Sequence, residues 1–270
     1  MNITTVLKQI KTNRNNHEFI TTGFKGLDAI LDGGFLKKEL VVIGGSTGAG
    51  KSYMAIHLAN QAAAAGFKTG YFSLEISNEL VVARMIGQRG SLKSSHILYG
   101  MVDEGDRQYL LAQSEVMGLG DLFEVYDDVY DLAAIDRLIR ENKFDVVFID
   151  FIQNIQGSRP DEYERLSYIS LHLQKLAKAT NSCIVVLSQL SNAVSRETND
   201  KRAVEYKGSG SIATVADLGF FLNKVPQKDD LQLIENAEGY EFTLAKNRRG
   251  PSKQTVKLRV TWPGGTFYEN

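Results

Sequence analysis

The sequence predicts an α/β protein built on a mostly parallel central sheet with helices on both faces. Three observations predict it. Strand-length apolar runs alternate with helical patterns through the first two thirds of the chain. Two of those runs, "DVVFID" and "CIVVLSQ", are almost continuously apolar, as strands covered on both faces should be. From "DLGFFLN" onward the helical patterns stop and strands follow one another through short turns, which predicts antiparallel strands extending the same sheet.

Taken in order, "TTVLKQIK" sets Val6, Leu7 and Ile10 at helical spacing, and polar "KTNRNNHE" follows. This reads as an amphipathic helix on an arm, residues 1–18, ahead of one domain, residues 19–270. Its apolar stripe either folds back on its own domain or docks on a partner. The strands expected next are "ELVVIGG", "KTGYFSLE", "DLFEVY", "DVVFID" and "CIVVLSQ". Between them lie helical patterns at Lys51–Ala65, Asn78–Arg89, Glu104–Met117, Leu132–Asn142 and Asp161–Thr180. "YEFTLAK", "QTVKLRVTW" and "TFYEN" are the closing strands. No repeat, low-complexity tract or Pro-rich linker divides the chain.

At 270 residues with 43% hydrophobic and 23% charged residues, the chain can bury a full core. A net charge of −1 argues against indiscriminate coating of nucleic acid but allows a local basic loop. The one cysteine, Cys183, excludes an intrachain disulfide framework and reads as an inert core thiol. His17, His57, His96 and His172 have no ligand spacing, so no metal cage of protein ligands is expected. No run is long and apolar enough for a membrane span, and the N-terminus lacks a signal-peptide core. A cytoplasmic protein, or a viral one acting in the host cytoplasm, is the expectation.

The strongest local signal is Gly45-Ser46-Thr47-Gly48-Ala49-Gly50-Lys51-Ser52, which fits G-x-x-x-x-G-K-[ST] between an apolar strand and a helix. Glycines let backbone N–H groups close around phosphates, and the helix N-terminus adds partial positive charge. Lys51 is expected at the β- and γ-phosphates of a nucleoside triphosphate, ATP or another, and Ser52 on Mg²⁺. Asp150 ends an apolar strand, where a carboxylate supports the metal or merely caps a turn. Glu75 ends "YFSLE", expected beside the strand of the phosphate loop. There it faces the γ-phosphate and activates water, or simply opens the next helix. Gln189, ending "CIVVLSQ", suits a sensor of the γ-phosphate or a polar loop start.

In this order the pieces resemble the RecA-like ATPase domain, the motor, of DnaB-type replicative hexameric helicases, with a phage-like flavour, over residues 19–268. "FITTGFKGLDAILDGGFLKKELVVIGGSTGAGKS" resembles the family's approach to its phosphate loop. "YFSLEIS" implies that Glu75 is the catalytic carboxylate, "VVFIDFIQNI" that Asp150 is the metal-supporting acid, and "LSQLSN" that Gln189 is the sensor. "EYKGSGSIATVADLGFFL" resembles the DNA-facing loop and the helix after it, which implies backbone contacts to single-stranded DNA at Lys207, Gly208, Ser209 and Gly210. Gly208 departs from the Glu of many bacterial members, and "GSGS" is nearer the fused primase-helicases of phages. "LAKNRRGP" resembles the family's K-x-R-x-G-P finger, whose cations reach the neighbouring subunit's γ-phosphate. That implies catalytic roles for Lys246 and Arg248. Arg249 stands where the family usually has Asn, and the resemblance assigns it nothing.

The resemblance implies a homo-oligomeric, hexameric ring that translocates on single-stranded DNA with ATP and Mg²⁺, and that depends on a primase or a loader. The chain then starts almost at the family's linker, either as a motor fragment or as a small stand-alone helicase. Two other readings share the core: a RecA-like recombinase, and a circadian-clock-type regulatory ring ATPase.

Overall fold

The computed structural model describes residue 3 and residues 19–116, 119–157, 159, 161–189, 210–225 and 237–270. The amphipathic pattern of residues 1–18, and Lys207, Gly208 and Ser209, fall outside the described residues.

A short helix, α1 (Lys25–Ile30), precedes the first strand, β1 (Leu40–Gly45). There follow α2 (Lys51–Ala64), β2 (Thr69–Ser73), α3 (Asn78–Gly90), α4 (Ser94–Leu98), α5 (Glu104–Val116), α6 (Leu119–Leu122) and β3 (Phe123–Tyr126). Then come α7 (Leu132–Asn142), β4 (Val146–Asp150), a 3₁₀ turn (Ile152–Asn154), α8 (Glu162–Thr180) and β5 (Cys183–Gln189). The described chain ends with α9 (Gly210–Val215), β6 (Leu218–Val225), β7 (Ala237–Asn247), β8 (Gln254–Thr261) and β9 (Thr266–Glu269).

These strands form one nine-stranded sheet in the order β3-β2-β4-β5-β1-β6-β7-β8-β9. The predicted class holds, with two corrections. The strand before Glu75, β2, is not beside β1; β4 and β5 lie between them. "DLGFFLN" also does not begin the antiparallel part: β6 runs parallel to β1, and only β7, β8 and β9 alternate direction. A parallel neighbour needs a crossover connection, and the 190–217 segment is long enough to supply one.

Successive strand residues alternate between two cores. Val41 and Ile43 pack with Met54, Ile56 and Val81 on the face covered by α2 and α3. Leu40 and Val42 pack with Ile139, Ile169 and Leu173 on the face covered by α7 and α8. Both faces are therefore dry, which is why the central strands read as continuous apolar runs. Caps set the helix starts: Asp131 accepts from Ala133 N and Ala134 N, each at 3.0 Å, and Asp161 accepts from Glu164 N at 2.8 Å. Cys183 is buried in this core, and burial pushes its thiol well above the usual range. Among the described residues no helix is long and apolar enough to cross a membrane.

His57, on the inner face of α2, stacks on Phe24 at 4.8 Å and meets Phe267 edge-on at 6.0 Å. Burial, helped by the Arg89 charge, pulls its pKa from 6.5 down to about 4. Because the folded value lies below the unfolded one, the unfolded chain takes up the proton first. Stability contributed by neutral His57 is complete above pH 6.5 and drains as pH falls to about 4, by on the order of 3 kcal/mol. His57→Gln should lose less stability than the parent between pH 7 and pH 4.5 in urea titrations. Equal losses would show that His57 does not titrate in this way.

Candidate nucleotide-binding site

A parallel sheet aligns its strands' carboxyl ends along one edge, and the site forms there. After β1 the chain turns through Ser46, Thr47, Gly48 and Ala49 into α2. Gly48 and Gly50 have φ values of +76° and +82°, a region costly for side chains with a Cβ. Gly50 caps α2, so the free N–H groups of the helix start face the loop's concave side. Lys51 Nζ donates to the carbonyls of Gly45 and Ser46, each at 2.9 Å, which holds the ammonium inside the loop.

Asp150, at the end of β4, is only 2% exposed. Burial raises its pKa above the usual carboxylate range, while hydrogen bonds from Ser52 and Tyr71 oppose that rise. Tyr71 Oη donates to Oδ2 at 3.1 Å, and burial keeps the phenol protonated well beyond its ordinary range. Burial lowers the pKa of Lys51, and the charges of Asp150 and Glu75 work against that. Two carboxylates and an ammonium thus share one cleft, where the ammonium offsets the repulsion between the carboxylates.

Glu75 reaches this cleft although its strand is not next to β1, because every parallel strand ends at the same edge. Its position is set by backbone contacts around it. Leu74 N donates to Asp150 O at 2.7 Å, Asn154 Nδ2 to Leu74 O at 2.8 Å, and Ser73 Oγ to Ile76 O. Gln189 arrives in register with Gly45. Gln153, in the 3₁₀ turn after Asp150, donates to Ser188 Oγ at 3.1 Å and to Gln189 O at 3.0 Å. One short turn therefore ties together the ends of β2, β4 and β5.

The resulting cleft has a volume of about 430 Å³ and is lined by Thr47, Gly48, Gly50, Lys51, Ser52, Glu75, Asp150 and Gln189 among the predicted residues. That size suits a nucleotide. Other lining residues went unread in the sequence. Arg84 of α3 lies over the Tyr53 ring at 4.5 Å, and Lys224, Glu238, Tyr240 and Trp262 arrive from the C-terminal strands. Arg84 had one signal available, a charge between the buried Val81 and Met85 of α3. The others had none, because their placement depends on strand order.

Lys246 and Arg248 are elsewhere. Lys246 Nζ donates to Thr214 O at 2.7 Å, and Arg248 pairs with Asp217 Oδ1 at 2.9 Å and donates to Thr214 O at 3.0 Å. Arg248 N also donates to Asp217 O, and Asp217 N to Leu40 O. Leu40 opens β1 and Gly45 closes it, so Arg248 sits at the opposite edge of the sheet from its own phosphate loop. Five strand steps separate those edges by roughly 17 Å. Gly210, the described member of the DNA-loop set, opens α9, the helix on whose last turn both cations rest.

Comparison with known proteins agrees with this architecture. The family profile described as DnaB-like helicase C terminal domain matches residues 20–267. The replicative DNA helicase DnaB of Treponema pallidum (strain Nichols) is 31% identical over 241 residues, 86% of this chain and 52% of that protein. The replicative DNA helicase DnaC of Bacillus subtilis (strain 168) is 30% identical over 260 residues, 91% of this chain and 55% of that protein. The chain spans about half the length of these curated relatives. A solved structure of an isolated ATPase domain superposes with a TM-score of 0.82 at 24% identity, covering 99% of this chain and 97% of that one. At that identity the likeness speaks to fold.

The hydrogen bond from Tyr71 favours the ionised form of Asp150, so removing it raises the Asp150 pKa further. In Tyr71→Phe, binding of a fluorescent nucleoside triphosphate with Mg²⁺ should fail at a higher pH on acidification than in the parent. An unchanged acid limb would remove Asp150 from the binding equilibrium.

Proposed function

This chain belongs to the DnaB-like helicase C-terminal domain family, and we propose that it is the ATP-driven motor of a replicative DNA helicase, working as a homo-oligomeric, hexameric ring on single-stranded DNA. The observation that carries this reading is the separation just described. The cleft collects Lys51, Ser52, Glu75, Asp150 and Gln189, while Lys246 and Arg248 stand at the far edge of the same sheet. A second copy of the chain brings both halves together.

In this mechanism the loop N–H groups and Lys51 hold the triphosphate. Magnesium fits the donor set: the Ser52 hydroxyl and the buried Asp150 carboxylate already contact each other, and Mg²⁺ is commonly held by one or two carboxylates with phosphate oxygens. When bound, Mg²⁺ neutralises charge on the β- and γ-phosphates. Glu75 orients and deprotonates the attacking water, held in place by the Leu74 contacts to Asp150 and Asn154. Gln189 senses the γ-phosphate. Lys246 and Arg248 leave Thr214 and Asp217 to stabilise transition-state charge in the adjoining subunit. Their resting place on α9 couples them to the segment ending at Gly210, where Lys207, Gly208, Ser209 and Gly210 would bind DNA phosphates through main-chain N–H groups and one ammonium. A primase or a loader is the further partner this role calls for.

ATP hydrolysis should rise strongly with single-stranded DNA. Arg248→Ala should lower turnover by about 10³-fold or more while nucleotide still binds. DNA-independent hydrolysis and a normal Arg248→Ala rate would together sink the translocase reading.

A further inference from the structure

The hairpin turn that carries Arg248 has a second arginine with a different attachment. Arg249 Nη1 donates to Leu31 O at 2.9 Å and Nη2 to Gly34 O at 2.9 Å. Its Nε lies 3.1 Å from Glu39 Oε1 but is not directed at it, so that contact is charge pairing rather than a hydrogen bond. Glu39 is itself held, accepting from Leu36 N at 3.1 Å. All these partners lie between α1 and β1, in the segment that leads to the chain's own phosphate loop.

The two adjacent side chains are thus anchored on different segments of their own chain. The Arg249 side chain is 20% exposed and gripped by its own subunit, whereas Arg248 is 45% exposed and rests on Asp217. The turn between them is closed locally: Arg249 N donates to Asn247 Oδ1 at 2.9 Å and Asn247 Nδ2 to Pro251 O at 3.0 Å. These contacts fasten the turn that carries Arg248 to the segment between α1 and β1, while the guanidinium of Arg248 keeps its own contacts to Asp217 and Thr214. The planar guanidinium of Arg249 matters, because a fork is needed to reach two carbonyls at once.

We propose that Arg249 is the positioning residue of the trans-acting finger, aiming Arg248 and Lys246 at the neighbouring site by clamping their hairpin to the lead-in segment of its own chain. This rests on the reading that the finger acts between subunits, and the test separates the two.

Arg249→Ala alone should lower DNA-stimulated turnover by about tenfold to a hundredfold, the effect of misplacing a catalytic group by about an ångström. Its affinity for a fluorescent ATP analogue should not change. Arg249→Lys, which keeps the charge beside Glu39 but lacks the fork, should fall between. Arg249→Ala is then mixed before assembly with Lys51→Ala, which has a dead site and intact fingers. Activity above the sum of the two measured apart is expected, because Arg249→Ala sites now receive well-aimed fingers. Arg248→Ala mixed with Lys51→Ala is the reference pair. If the reference pair gains activity and the Arg249→Ala pair does not, through misfolding or otherwise, Arg249 serves only its own fold and the proposal is overturned. Parent-like turnover of Arg249→Ala alone overturns it as well. If the reference pair itself gains nothing, the between-subunit reading fails first.

Discussion

The site is organised around a carboxylate taken almost completely out of water. Asp150 closes the central strand β4, and its charge has to be met by donors built into the surrounding framework. Tyr71 from β2 and Ser52 from the first turn of α2 donate to it, and the Lys51 ammonium of the same turn acts on it through space. Removing one leaves the others holding an under-solvated charge, so the phosphate loop and β2 are coupled through this carboxylate rather than merely packed together. The 3₁₀ turn that follows carries the constraint outward. Asn154 reaches back to Leu74 beside Glu75, and Gln153 reaches across to Ser188 and Gln189. The surroundings of Glu75 and Gln189 are thereby tied to one short turn.

Much of this was legible in the sequence because parallel sheets place function at strand ends. Gly45, Asp150 and Gln189 each terminate an apolar run, and that local pattern suffices to bring them to one edge. Glu75 shows why the inference held although one step of it failed. Its strand is not the neighbour of β1, yet all the parallel strands finish on the same side. What local pattern could not supply was strand order and distant pairing. Trp262 and Glu238 enter the cleft only because β7 and β8 follow β6 across the sheet. Arg249 finds its carbonyls 218 and 215 residues earlier in the chain, a relationship no window of sequence contains. The DNA-loop residues Lys207, Gly208 and Ser209 remain a reading of the sequence.

The closing hairpin also explains why Lys246 and Arg248 stand away from the cleft of their own chain. β6 extends the parallel part, and β7 runs back antiparallel, returning the chain to the edge away from the phosphate loop. The reversal is what places Lys246 and Arg248 on Asp217 instead of in their own cleft. Asp217 is shared further, accepting from Leu40 N at 3.0 Å and from Gln174 at 3.4 Å, so the resting cations are held at a junction of β1, α8 and α9. A cation leaving that junction changes the charge balance where three elements meet.

That reversal has a consequence for assembly geometry. On the proposed reading, the groups one copy gives and the cleft it offers lie at opposite edges of its sheet, so a head-to-tail contact can repeat from copy to copy. Such a contact either closes on itself or continues as a helix. In an open row of copies, the last cleft has no donor, so a row always has one incomplete site more than a closed circle of the same number. Closure completes that last cleft without any new chemistry. On that reading, completeness of every cleft is a property of the closed circle.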